Sequence, residues 1–251
     1  MRKLLLLSCL CATLLSIGCD SSTDGPDADE TGNTLGGETA VDFAEKGDTF
    51  SLGLWTEPYI NGLSNMRDSV VITSNENGIV TTFISMRFDS TFARALDTAL
   101  GIEALPQVGK NVLIETFRRR FGATIDTADK ANMRVEFSTK MKVTTEGIQE
   151  FMSSGGDLTR PFTVVKYGSN VGDRYTFTDV DGNNLVREVT HKSTSDDYQF
   201  GFINIKVVKV DQTGFPGIGR ATFYANHRFG LVNVDIVSQA GKKLEMGVYP
   251  W

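Results

Sequence analysis

The chain has 251 residues, enough for one sizeable domain, with 40% hydrophobic residues and a formal charge of −6. Thirty-one carboxylates against 25 Lys and Arg leave no basic footprint, so no nucleic-acid partner is expected. Only two His are present, and Cys9 and Cys11 lie in the N-terminal apolar run, so no cysteine-based zinc site is expected.

In chain order the first feature is a three-part leader. Arg2 and Lys3 are followed by an apolar run from Leu4 to Ile17. That run suits a signal-peptide core and falls short of the roughly 20 apolar residues a bilayer span needs. Ser16-Ile17-Gly18-Cys19 resembles the lipobox of bacterial lipoproteins, although the family prefers leucine where Ser16 stands. The resemblance implies cleavage after residue 18, a diacylglycerol on the Cys19 sulfur and an acylated amino terminus. The alternative is an ordinary secreted protein in which Cys19 is incidental. Cys9 and Cys11 would leave with the signal, so Cys19 would remain alone, without a disulfide partner. Acylation gives that lone thiol a purpose, because each buried CH₂ of an acyl chain contributes about 0.8 kcal/mol to anchoring.

Residues 19–48 read as the acylated cysteine and an acidic, disordered tether. Nine of the 31 carboxylates lie in 20–48 against a single base, Lys46, for a net charge of −8 there. The remainder, with 22 of each sign, is neutral. So few large apolar residues cannot offset the entropy of ordering the segment. An acidic run behind the cysteine resembles the export signal of surface lipoproteins in some Gram-negative groups. Asp20 resembles the inner-membrane retention signal of enterobacterial lipoproteins, which points the other way. The expectation is a lipid-anchored protein of the bacterial envelope, at the outer membrane, with the face left open.

Residues 49–251 form the expected single β-rich domain. Alternation is clearest from Met133 to Thr144, where Val135, Phe137, Met141 and Val143 point one way and Arg134, Glu136, Ser138, Lys140 and Lys142 the other. Hairpins are predicted over 69–85 around Asn77-Gly78, over 175–191 around Asp181-Gly182, and over 229–249 around Ala240-Gly241. Segments 162–167, 200–210 and 220–225 also read as strands. Helical spacing predicts a helix over 89–101, with Phe88, Phe92, Leu96 and Ala99 on one stripe. A second is predicted over 111–121, carrying Leu113, Ile114, Phe117 and Phe121, and a third, short one from Glu146 to Met152. The predicted class is therefore α+β, mainly antiparallel β: a curved sheet or half-barrel with two to three helices packed on one face. This element order resembles the half-barrel of periplasmic lipoprotein carriers and their outer-membrane acceptors. That resemblance implies a cavity for an apolar ligand, which Phe92, Leu96, Leu113, Phe117 and Phe137 would line.

No catalytic, cofactor or metal residues are assigned. Asp179-Val-Asp181-Gly-Asn183 has the first three spacings of a calcium loop, but Asn184 stands where Gly is needed and Thr190 where Glu is needed, so it reads as a hairpin turn. His191 and His227 lie apart, with neither H-E-x-x-H nor G-x-S-x-G nearby. Arg118-Arg119-Arg120 would fan around a helix and solvate its outer face. The glycines of 213–220 read as a connector. The function expected is a non-enzymatic binding or structural role at the membrane, with an envelope protein as partner. A carrier of a lipid or other apolar ligand is the first alternative and a hydrolase the second.

Overall fold

The computed structural model describes residues 31–57, 59, 68–87, 94, 97, 115, 124–126, 134–214 and 218–250. Their strands are β1 (Thr49–Glu57), β2 (Asp68–Glu76), β3 (Ile79–Arg87), β4 (Thr124–Asp126), β5 (Arg134–Thr144), β6 (Gly147–Glu150), β7 (Phe162–Lys166), β8 (Arg174–Thr178), β9 (Asn184–Lys192), β10 (Tyr198–Phe200), β11 (Ile203–Ile205), β12 (Val208–Thr213), β13 (Ile218–Asn226), β14 (Gly230–Ser238) and β15 (Lys243–Pro250).

The period-two pattern is the cause of these strands. Along β5, Val135, Phe137 and Val143 are buried while Ser138 and Lys140 are exposed. Asn77 and Gly78 adopt φ of 53° and 83°, the two left-handed positions of a tight hairpin turn, and so join β2 to β3. Gly78 is needed twice over, because a Cβ there would also sit 2.7 Å from Thr39 Cγ2.

Antiparallel pairing runs β7-β6-β5-β3-β2-β1-β15-β14-β13-β12-β9-β8, and β4 adds to β5 beside β6. β1 and β15 pair across eight positions in the middle of this path. The sheet rolls until its end strands, β7 and β8, come together, which makes a nearly closed barrel. The β10–β11 hairpin stands apart as a two-stranded ribbon.

Among the described residues the inner wall is mostly apolar and closely packed. Phe162, Val165, Leu185, Val189 and Val210 are fully buried in one cluster, and Ile72, Val80, Val143 and Ile148 join it. Burial of such side chains contributes roughly 1.5–3 kcal/mol each, and deleting Phe162 to alanine would cost about 3–5 kcal/mol. Among the described residues, the outer faces of β1 and β12–β15 carry rows of polar side chains flanked by aromatic rings.

β7 and β8 leave unpaired edge groups at the seam, and side chains occupy them. The Asn33 side chain accepts from the Thr163 N–H (2.9 Å) and donates to the Thr176 carbonyl (2.8 Å). The Thr176 N–H donates to the Thr31 carbonyl at 3.0 Å. From inside, Arg187 donates to the carbonyls of Thr163 (2.9 Å) and Phe162 (3.3 Å). Buried backbone groups need such partners, so the seam is closed without a ladder.

Residues 31–48 continue as a strap across the barrel. Leu35 and Ala44 are buried, and Val41 and Phe43 pack on the main cluster. Lys142 Nζ donates to the Leu35 carbonyl (2.9 Å), Thr145 N–H to that of Glu38 (2.9 Å), and Asn75 Nδ2 to that of Ala44 (2.9 Å). The expectation of a disordered tether reaching residue 48 is thereby corrected for 31–48. Composition missed that four of the five apolar residues of this stretch, Leu35, Val41, Phe43 and Ala44, sit where the barrel needs a cover.

The α+β expectation with two to three helices on a half-barrel is also corrected. Among the described residues the fold is nearly all antiparallel β, and no helical layer covers the sheet. Rolling up buries the sheet's apolar face without one. The helix expected from Glu146 to Met152 is instead strand β6 followed by a turn. Thr144 pairs with Gly147 across a two-residue turn, and Gly147 lies so close to the Val165 carbonyl that no side chain fits. The helices expected over 89–101 and 111–121 lie outside the described residues, apart from the isolated helical positions Arg94, Asp97 and Glu115.

Candidate binding wall

The polar side chains of the outer wall are ordered by strand register. One row across five strands holds Trp55 (β1), Glu245 (β15), Asp235 (β14), Thr222 (β13) and Asp211 (β12). The next holds Gly53, Gly247, Asn233, Tyr224 and Lys209. On the other side of the first row, Lys243 and Arg220 reach in. Lys243 bridges Asp235 (3.0 Å) and Glu245 (2.9 Å), and Arg220 meets Asp211 at 3.5 Å.

These groups hold one another in place. Asp235 accepts from the Tyr224 hydroxyl (2.8 Å) and from Asn233 Nδ2 (2.9 Å), and Thr222 donates to Asp211 (2.7 Å). Burial works against the Lys243 charge, yet its bonds to Glu245 and Asp235 outweigh burial and hold the ammonium above the ordinary lysine value. Burial, with Asp235 and Glu245 nearby, pushes the phenols of Tyr198 and Tyr224 well above the ordinary tyrosine value. Both stay neutral across the physiological range, and Tyr224 donates to Asp235.

Aromatic rings flank the polar row. The Trp55 indole folds along its strand over Gly53, and the Tyr249 ring folds over Gly247. Neither glycine could carry a Cβ without displacing its ring, a pairing that compensates glycine in strands. Trp55 meets Tyr249 edge to face at 6.2 Å, and Phe200 of the hairpin stacks on Tyr249 at 5.4 Å. Tyr198 lies on Tyr224 and Phe200 on Phe229, both at 5.3 Å. The β10–β11 hairpin is thus pinned to the wall by aromatic contacts, and its tip projects Phe202, fully exposed, with Ile203 half-exposed beside it. Exposed apolar groups adjoining an aromatic surface make this hairpin tip a candidate binding face.

A buried polar cluster lies inside the barrel. Arg187 pairs with Glu150 at 3.2 Å, both nearly inaccessible, and donates to Gln212 at 2.8 Å. The Phe162 ring lies 3.7 Å from its guanidinium carbon. Burial draws Arg187 down to about 10, against the pull of Glu150. Ser153 donates to Glu150 from its N–H and its hydroxyl. Closed on every side, this cluster joins β6, β7, β9 and β12. One open groove of about 440 Å³ lies between the strap, β1 and the β13–β14 turn, lined by Asp42, Phe43, Asp48, Phe50, Arg228 and Phe229.

Of the expected cavity-lining residues, Phe92, Leu96, Leu113 and Phe117 lie outside the described residues, as does Cys19. Phe137 is buried on the inner face of β5. The 179–184 loop is a turn in which Asp179 Oδ1 accepts from the Asp181 and Asn183 N–H groups, both at 2.9 Å. His191 lies 3.7 Å from Asp197, and His227 stands edge-on to Tyr167, so the two are not brought together. Arg118–Arg120 are outside the described residues. Sequence reasoning missed the wall and Arg187. Arg187 had a signal, since it occupies the inward phase of β9 between Leu185 and Val189. The wall had a weaker one: Trp55, Glu245 and Tyr249 fall in the outward phase, but their neighbourhood depends on β1 pairing with β15.

No protein-family model matches the chain, and no curated protein matches it. Among solved structures it is similar to a protein from Bacteroides fragilis described as exported and of YmcC-like fold. The similarity covers 81% of this chain and 94% of that one, at 10% identity and a TM-score of 0.39.

Proposed function

We propose that this chain is a lipid-anchored, non-enzymatic binding module of the bacterial envelope, held at Cys19 and presenting the aromatic wall around Trp55, Tyr249 and the β10–β11 hairpin. The observation that carries the reading is the combination of a filled interior with a fully exposed Phe202 on a hairpin locked to that wall. A carrier needs empty apolar space, and the described interior is occupied by Phe162, Leu185, Val189 and Val210. A hydrolase needs titratable groups converging in an accessible cleft; the pair Arg187–Glu150 is sealed, and Asp235 is buried and already held by Lys243, Tyr224 and Asn233.

The test is photo-crosslinking in cells of the native organism. p-Benzoylphenylalanine placed at Phe202 is expected to trap a discrete envelope component, whereas the same probe at Val171, exposed in the β7–β8 loop, is expected to trap none. Equal labelling at both positions, or none at Phe202, overturns the assignment.

A further inference from the structure

We propose that the tip of the β10–β11 hairpin, Phe202 with Ile203, dips into the surface of the bilayer that holds the lipid anchor. The inference rests on the binding-module reading and names lipid as what the tip meets.

The hairpin is built to expose this tip. Phe200 pairs with Ile203, so Gly201 and Phe202 alone form the loop. Gly201 takes the first loop position with φ of 58°, which leaves Phe202 at the apex, fully exposed, and Ile203 52% exposed beside it. The stretch Tyr198–Ile205 holds no charged residue, and Asp197 and Lys206 bound it. The other large exposed aliphatic side chains among the described residues lack that setting. Val180 stands between Asp179 and Asp181, Leu158 follows Asp157, and Val171 lies two residues before Asp173. Charged groups resist leaving water, so the hairpin can enter an apolar phase without drawing a charge after it, and these loops cannot. The ribbon is also held before any contact is made, with Phe200 on Tyr249 and Phe229, and Tyr198 on Tyr224. Little freedom is left to lose on docking.

Size selects the occupant. Phe202 offers about 150–250 Å² and Ile203 less, against the roughly 800 Å² per partner of an ordinary protein interface. A convex tip that small suits a medium that closes around it without a complementary shape, as the boundary of headgroups and acyl chains does. The contact is weak by itself, because one Phe and half an Ile bury less apolar surface than a myristoyl chain, which is only a marginal anchor. The tether supplies the rest. Eleven residues, 20–30, separate Cys19 from Thr31, at most about 40 Å when fully extended. Within that range a weak contact becomes intramolecular and persists. The anchor fixes one point and the tip a second, which sets the side of the barrel that faces the membrane.

The test uses the full chain as its native host exports it, reconstituted into phosphatidylcholine vesicles. A nitrobenzoxadiazole dye is placed at Asn204→Cys, beside the tip, or at Val180→Cys. Val180 lies in the turn that enters β9, and the hairpin follows the other end of that strand. Quenching by nitroxides set shallow in the acyl chains is expected to be at least about threefold stronger at 204 than at 180. Phe202→Ser should remove the difference without releasing the chain from vesicles. Adding phosphatidylglycerol should change little, because the tip is uncharged; a signal that needs the anionic lipid assigns the contact to headgroups and overturns insertion. Equal quenching at both positions, or no effect of Phe202→Ser, overturns it as well. Selective crosslinking of Phe202 to a protein, alongside equal quenching, removes the lipid contact and leaves the binding module. A chain that fails to float with vesicles removes the anchor and both readings with it.

Discussion

Arg187 shows how one misplaced-looking residue can hold a barrel shut. Its guanidinium caps two edge carbonyls of β7, stacks on Phe162 and neutralises Glu150. Removing one member of a buried pair leaves the other uncompensated, so Arg187→Met is expected to lower stability by about 3–5 kcal/mol in urea unfolding. Adding Glu150→Gln should restore part of that loss, because the stranded carboxylate is gone; no recovery would mean that the carbonyl contacts dominate. The phenols give a second expectation at this scale. Tyr167, Tyr198 and Tyr224 are all pushed above the ordinary phenol value, chiefly by burial. With raised folded values, their contribution is intact below about pH 10 and is lost as pH rises beyond it, since only the unfolded chain then sheds the protons. Unfolding free energy should fall steadily above that pH, and the tyrosinate absorbance of these three phenols at 295 nm should appear with unfolding rather than before it.

At the scale of elements, the strap and the seam decide whether the barrel is closed. Asn33 satisfies one N–H and one carbonyl on opposite edge strands, work a side chain of another shape cannot do. Asn33→Ala should cost about 1–3 kcal/mol and raise hydrogen exchange in β7 and β8 ahead of the rest of the sheet. Uniform exchange across all strands would contradict a local seam role. The hairpins were legible in the sequence: Asn77-Gly78 dictates its turn, and β5 alternates along its length. The strap was not, because its buried residues, Leu35, Val41, Phe43 and Ala44, are scattered among acidic and glycine residues and follow no period. The third helix failed for a related reason. Seven residues carry too little periodic information to outweigh the pairing of Gly147 against β7.

For the whole molecule, alternation predicts strands but leaves open how far they roll. Whether a sheet stops as a half-barrel or nearly closes depends on which strands become its edges, and Asn33 and Arg187 settle that from 130 and 24 residues away from Thr163. The wall is invisible to local reading for the same reason, since Trp55 and Glu245 become neighbours only through β1–β15 pairing. The anchor is testable at this scale too: Cys19→Ala should abolish labelling by radioactive palmitate and release the protein from membranes, and persistent labelling would contradict the lipobox reading. The central claim is that this barrel is packed within and binds on its outside. Native mass spectrometry of the full chain, freed gently from micelles, tests it most directly. The account predicts the mass of the acylated chain alone. A discrete lipid-sized mass that dissociates on activation would contradict it and place the ligand inside the barrel.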